Sequence, residues 1–213
     1  MDFNNKRIEL ICKLKKEGYI KSGHIEQAFL EIPRENFISE NFHDFAYADN
    51  PLEIGHGQTI SAPHMIAIMC DELNLKKGQK ILEIGSGSGY HAAIVSKIIG
   101  KDGHVFSIER ISSLANFAKK NLMKSGVKNV DIIIGDGSIG FNEKAPYDRI
   151  YITCASPRIP PILIKQLKDP GKMIVPVGNV ICSLTSLEKI EGKVILNNLC
   201  GCAFVPMIGK NGY

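Results

Sequence analysis

Apolar positions along this chain change period part-way. Over residues 6–17, Ile8, Ile11 and Cys12 recur at helical spacing among charged neighbours, and Gly18 closes the segment. Residues 23–32 repeat the pattern, with Ile25, Ala28, Phe29 and Ile32 on one side and Pro33 as a stop. Residues 34–58 show no period and read as irregular, although Phe37, Phe42, Phe45 and Tyr47 fall there. A third helix is predicted from Pro63 to about Leu73. Pro63 suits its first turn, and Ser61 or Ala62 would stand at its cap.

From Lys80 onward short apolar runs alternate with helical stripes. Strands are predicted at 80–84, 105–108, 130–134, 148–153 and 172–177, and helices at 90–99, 112–125 and 160–167. Residues 180–190 and 194–202 read as two more strands around a Glu191-Gly192 turn, and 204–206 also read as β. Repeated β-α units with short connections imply a parallel, doubly wound sheet, and the late turn adds an antiparallel hairpin. No repeat, linker or low-complexity stretch divides the 213 residues, so one domain is expected. Within it, 1–75 would be N-terminal helices and a substrate-side segment, and 76–213 the α/β core.

The junction after the first of these strands carries the chemistry. Lys80-Ile81-Leu82-Glu83-Ile84 is followed by Gly85-Ser86-Gly87-Ser88-Gly89, then by a helical pattern. Glycine lacks a Cβ and accepts positive φ, so such a turn lets backbone approach a ligand, and the amides of the next helix point into the same space. The third glycine falls one residue early for a dinucleotide loop, and no P-loop occurs. Glu83 before the turn would repel a pyrophosphate but attract an ammonium or hydroxyl groups. S-adenosylmethionine has no phosphate and carries an ammonium, a sulfonium and a ribose diol, so it suits the loop. Glu109 ends the second strand about 20 residues beyond Gly89, where an acid grips ribose hydroxyls or simply favours a helix N-terminus. Ligands of open α/β sheets bind beyond the carboxyl strand ends, which puts Asp136-Gly137 and residues 153–156 on the same rim. There Asp136 would accept from an adenine amino group, or the pair is an ordinary turn.

Bulk properties narrow the classes. The net charge of +4 comes from dispersed basic residues, so a nucleic-acid stripe is not expected. No apolar run reaches membrane-spanning length, and the charged start with Asp2, Lys6, Arg7 and Glu9 does not read as a signal peptide. The six cysteines fit neither C-x-x-C nor zinc spacing and read as buried, reduced thiols of a cytoplasmic protein, with Cys200-Gly201-Cys202 the one odd pair.

Several motifs resemble one family. Pro33-Arg34-Glu35-Asn36-Phe37, the 57–65 block Gly-Gln-Thr-Ile-Ser-Ala-Pro-His-Met, the 82–90 glycine-rich turn, Gly135-Asp136-Gly137, Val175-Pro176-Val177-Gly178 and Phe204-Val205-Pro206 are similar to the protein-L-isoaspartate (D-aspartate) O-methyltransferases. The glycine-rich turn belongs to methyltransferases at large, whereas the 57–65 block is far narrower. The resemblance implies a Rossmann-like methyltransferase sheet, mostly parallel, with an antiparallel C-terminal hairpin and a short N-terminal helical segment. It implies methyl transfer from S-adenosyl-L-methionine, with S-adenosyl-L-homocysteine as product, to the free α-carboxylate of L-isoaspartyl residues in damaged proteins and peptides. The ester then cyclises to a succinimide.

On spacing alone Ser61 is a helix cap; the resemblance makes it the catalytic residue. Thr59, His64 and Val205 become substrate contacts, with His64 equally readable as a partly buried helix residue. Glu83, Gly85, Ser86, Gly87, Gly89, Glu109, Arg110, Asp136 and Gly137 become cofactor contacts, and no metal is expected. A carboxylate with a pKa of about 4 is already ionised at neutral pH, so the transfer needs alignment rather than a general base. Ser61 is read as the orienting hydroxyl, with Thr59 helping, and residues 204–209 as closing over the site. The partners expected are damaged proteins and peptides, with no nucleic acid or membrane, and the protein is expected to act as a monomer. The rival readings are a methyltransferase for small molecules or RNA and a non-catalytic binding module.

Overall fold

The computed structural model describes residues 2–179 and 181–213. Helices α1 (Phe3–Lys16) and α2 (Gly23–Glu31) open the chain. Asp2 accepts the Asn5 amide at 3.1 Å, and Lys13, Lys15 and Lys16 occupy the last turn, where the helix dipole favours cations. The stretch read as irregular holds more structure than its pattern suggests. Two 3-10 turns span Arg34–Phe37 and Glu40–Phe45, and a hairpin follows, β1 (Leu52–Gly55) and β2 (Gln58–Ile60). Strands of four and three residues are too short to display a two-residue period. Their turn takes positive φ at both His56 and Gly57, as two-residue hairpin turns require.

Besides two further 3-10 turns at Gly137–Ile139 and Asn142–Lys144, the remaining elements are α3 (Pro63–Leu73), β3 (Lys80–Ile84), α4 (Tyr90–Ile99), β4 (His104–Glu109), α5 (Ser112–Lys124), β5 (Val130–Ile134), β6 (Tyr147–Ile152), α6 (Pro161–Gln166), β7 (Leu167–Gly178), β8 (Cys182–Ile190) and β9 (Lys193–Cys202). They form a seven-stranded sheet in the order β5-β4-β3-β6-β7-β8-β9. The first five are mutually parallel, β8 runs antiparallel to β7 and β9 antiparallel to β8, which is the expected doubly wound sheet with its late hairpin. The hairpin turn at Glu191 and Gly192 has positive φ at both residues, and Asp169 accepts both amides at 2.9 and 2.6 Å. Some bounds differ. β7 begins at Leu167 rather than at 172. The strand read from Val180 begins at Cys182, Val180 itself lying outside the described residues. Residues 204–206 join no strand; Pro206 makes a single bridge to Ala155, since a proline has no amide with which to extend a ladder.

Strand alternation sorts side chains onto two faces. Ile81, Tyr151, Ile174 and Leu184 pack with α1 to α5, whereas Leu82, Ile84, Ile150, Ile152 and Met173 pack with Leu163 of α6 and with Met207. Helix α4 lies between the sheet and the N-terminal helices, so nine of its ten residues are buried and it shows no polar stripe. Only Lys97 escapes, to pair with Glu31 of α2. No helix among the described residues is long and apolar enough to cross a membrane.

Leu82 is fully buried at the centre of the smaller face. We expect Leu82→Ala to cost about 2–5 kcal/mol, read as a lower denaturant midpoint at unchanged slope. A cost below 1 kcal/mol would mean that this face is loosely packed.

Candidate active site

A cleft opens beyond the carboxyl ends of β3, β4 and β6, lined by residues from all three strand ends. One wall is the glycine-rich loop after β3, held from several sides. The amides of Gly85 and Ser86 donate to Ile108 O of β4 at 2.8 and 3.2 Å. The Gly87 amide donates to Glu109 Oε2 at 3.0 Å, and Ile111 N donates to Glu109 Oε1 at 2.9 Å. Thr153 Oγ1 lies 2.6 Å from Gly85 O, and Asn121 Nδ2 donates to Ser88 O at 3.0 Å. Gly85 has φ +97°, and a Cβ there would overlap Thr153 Oγ1, so the loop can press against β6 only as glycine. Gly89, at φ +86°, starts α4 and lets it lie against Ala118 of α5.

Behind the loop runs a buried polar chain. Ser86 Oγ, in the cleft wall, lies 2.5 Å from Ser107 Oγ, which in turn donates to Glu83. Glu83 has no exposed surface, and burial, offset in part by the Ser107 bond, pushes its carboxyl up to about 8. His91 packs on the Tyr151 ring at 4.4 Å, and burial lowers it to about 3, so it is neutral across the physiological range. Cys154, also in the wall, is pushed up to about 12 by burial and stays a thiol.

The opposite wall comes from β2 and the start of α3. Gln58, Thr59, Ile60 and Ser61 line it. Ala62 is the cap residue of α3, and the duty expected of Ser61 falls to Asp49. Its Oδ1 accepts the His64 amide at 2.9 Å and lies 3.0 Å from His64 Nδ1. Among the described residues the Ser61 hydroxyl makes no hydrogen bond. Val205, Pro206, Met207 and Ile208 roof the cleft, fastened where Ala155 N donates to Val205 O and Met207 N to Ala155 O, both at 2.7 Å.

A family model described as protein-L-isoaspartate(D-aspartate) O-methyltransferase matches residues 5–212. The chain belongs to this family. A protein-L-isoaspartate O-methyltransferase of Methanococcus aeolicus is 54% identical over 209 residues, which cover 98% of this chain and 97% of that relative. A solved protein-L-isoaspartate O-methyltransferase superposes with TM-score 0.87 at 34% identity, over 96% of this chain and 66% of that one. A Plasmodium falciparum protein assigned to the same activity, solved with S-adenosyl-L-homocysteine, gives 0.85 at 29% identity, over 94% of this chain and 97% of that one.

Of the residues singled out by motif, Thr59, Ser61, Gly85, Ser86, Gly87, Glu109, Arg110, Gly137 and Val205 line the one cleft of this isoaspartate methyltransferase family member. Four lie outside its wall. Gly89 serves the loop-to-helix turn. Glu83 does not face the cleft: alternation along β3 turns Ile84 toward it and sends Glu83 into the core beneath the loop. His64 turns away to Asp49 and to the Tyr19 ring at 5.3 Å. Asp136 accepts the amides of Ser138 and Lys210, each at 2.8 Å, and these bonds outweigh burial and hold its carboxyl below the usual range. Sequence reasoning missed Asp49, Ser107 and Asn121. Ser107 had a signal, as a polar residue at a core position of a strand; the other two act across 15 and 33 residues and had none.

Glu83 holds its proton more tightly in the folded chain than in the unfolded one. Its stabilising contribution is therefore complete below about pH 4.5 and is lost as pH rises toward 8. Denaturant titrations across that window should show the wild type losing more stability than Glu83→Gln, which cannot ionise. Parallel profiles would place the Glu83 pKa at an ordinary carboxyl value.

Proposed function

We propose that this chain is a protein-repair methyltransferase. It moves a methyl group from S-adenosyl-L-methionine to the α-carboxylate of L-isoaspartyl residues in damaged proteins and peptides. The observation that carries the reading is the Ser61 hydroxyl, released from helix capping by Asp49 and set in the same cleft as the glycine-rich loop. The residues present fit a nucleoside. Glu109 uses one lone pair on each oxygen for the backbone and keeps the others for a ribose diol. Gly137 and Ser138 form the wall where an adenine would lie, held from behind by Asp136. The loop brings unhindered backbone to the amino-acid end.

The cofactor supplies an electrophilic methyl group on a sulfonium. The acceptor carboxylate arrives ionised, so no side chain has to remove a proton. Ser61 donates to one carboxylate oxygen and leaves the other free to attack, and Thr59 supports that pose. The carboxylate oxygen gains the carbon–oxygen bond as the carbon–sulfur bond breaks, giving a methyl ester and S-adenosyl-L-homocysteine. The roof from Val205 to Ile208 excludes water and offers extended backbone to a peptide, a mode of recognition tolerant of sequence. We take residues 1–213 as one domain acting as a cytoplasmic monomer, with no nucleic-acid partner.

Two peptides differing only in an L-isoaspartyl or L-aspartyl linkage test the substrate. Base-labile label from the methyl-labelled cofactor should appear on the first alone. Label on neither, with S-adenosyl-L-homocysteine still bound, would remove the repair reading and leave the fold. In the same assay Ser61→Ala should lose about 10²-fold in kcat while binding S-adenosyl-L-homocysteine as the wild type does. Unchanged turnover would take Ser61 out of the mechanism.

A further inference from the structure

The register of the last two strands brings together cysteines that lie far apart in the chain. Cys182 of β8 stands directly opposite Cys202 of β9, in the final pair of their antiparallel ladder. Residues paired in this way have Cα atoms about 4.5–5.5 Å apart and side chains on one face. That separation falls inside the window of about 4.4–6.8 Å that a disulfide needs. The sequence drew the eye to Cys200 and Cys202, but Cys200 stands opposite Leu184, so no thiol faces it directly. The Cys202 sulfur lies 3.6 Å from Cys182 O, and the Cys182 sulfur 3.2 Å from Asn179 O, so both thiols cluster at the same end of the ladder. Both are reduced in this structure.

We propose that Cys182 and Cys202 are a reversible dithiol–disulfide site that fastens β8 to β9 at the root of the segment roofing the cleft. Ala203 follows Cys202 at once, and Val205 and Met207 then make the paired bonds to Ala155. A covalent tie at Cys202 fixes one end of that roof, and the Ala155 bonds fix its middle. The oxidant is a low-molecular-weight disulfide such as glutathione disulfide. Cys202, half-buried and the more accessible of the two, loses its proton to solvent and attacks one sulfur, releasing one thiolate. Cys182 then loses its proton and attacks the Cys202 sulfur of the mixed disulfide, releasing the second. The balance is two protein thiols and one small disulfide giving one protein disulfide and two small thiols. Burial and the neighbouring Cys182 and Cys200 push the Cys202 thiol up to about 12. Exchange is therefore slow at neutral pH. Such thiols are also poor leaving groups, which makes the bond slow to reduce once formed.

The test is full-length protein equilibrated with glutathione disulfide at pH 9, alkylated and mapped by mass spectrometry. Wild type and Cys200→Ser should yield a cross-linked peptide joining Cys182 to Cys202 within one chain. Exposed Cys12, and Cys200 where present, should carry glutathione instead. Cys182→Ser and Cys202→Ser should yield no cross-link. The oxidised wild type should melt about 5–10 °C above the reduced form, and Cys202→Ser should show no such shift. Glutathione or free thiol at both positions in the wild type would overturn the proposal. So would a Cys200–Cys202 link, a link between chains, or an unshifted melting temperature. None of these readouts depends on methyl transfer, so the site stands or falls apart from the proposed activity.

Discussion

Both oxygens of one buried carboxylate organise the rim of the sheet. Glu109 takes the Gly87 amide from the glycine-rich loop with one oxygen and the Ile111 amide at the entry to α5 with the other. Hydrogen bonds to a charged acceptor contribute about 1.5–3 kcal/mol each, more than ordinary backbone bonds. They join the end of β4, the loop after β3 and the start of α5 at a single side chain. A loop with positive φ at Gly85, Gly87 and Gly89 has many alternative paths. The Ile108 carbonyl and the Glu109 carboxylate select one of them, and every later feature of the cleft is measured from that path.

The N-terminal segment reaches the cleft through a second buried charged group, this one a cation. Arg34 has no exposed surface, lies over the Tyr90 ring at 5.1 Å and donates to Asn50 O at 3.3 Å. Burial lowers its pKa to about 10, which leaves it charged at neutral pH. Tyr90 is at once the first residue of α4, a wall of the cleft and the surface on which this guanidinium rests. Arg7 of α1 donates to the Tyr47 hydroxyl at 2.7 Å and to Glu35 at 3.0 Å, tying the helices to the same irregular stretch. That stretch has no period because its 3-10 turns and short strands are each too brief to repeat one, although Phe37, Ile38 and Ala46 are buried in the core.

The alternating half of the chain was legible because each parallel strand carries a short cluster of apolar residues, set apart from the next by a helical stripe or a polar loop. β3, α4 and β5 were read to the residue. The hairpin before α3 was invisible because it is shorter than one informative period. Among site residues, those supplied by backbone or by strand ends, such as Gly85 and Glu109, could be placed from motif and topology. Glu83 was misplaced because the motif marks a position without marking a face, and the pleat sends its side chain inward. Of the two readings open for His64 the structure shows the partly buried helix residue, and its partner Asp49 comes from a separate segment that no local pattern reveals.

The sheet changes direction only after β7, and it does so twice. β8 runs away from the rim that carries the cleft and β9 runs back, so the chain leaves the sheet on the side where the ligand wall stands. A single reversal would have delivered the residues after the sheet to its opposite end, the nine-residue length of β8 away. The order of synthesis then matters. Floor and walls come from residues 58–154, while the roof exists only after all nine strands have been made. The residues of the glycine-rich loop and Ser61 are therefore made well before those that roof them.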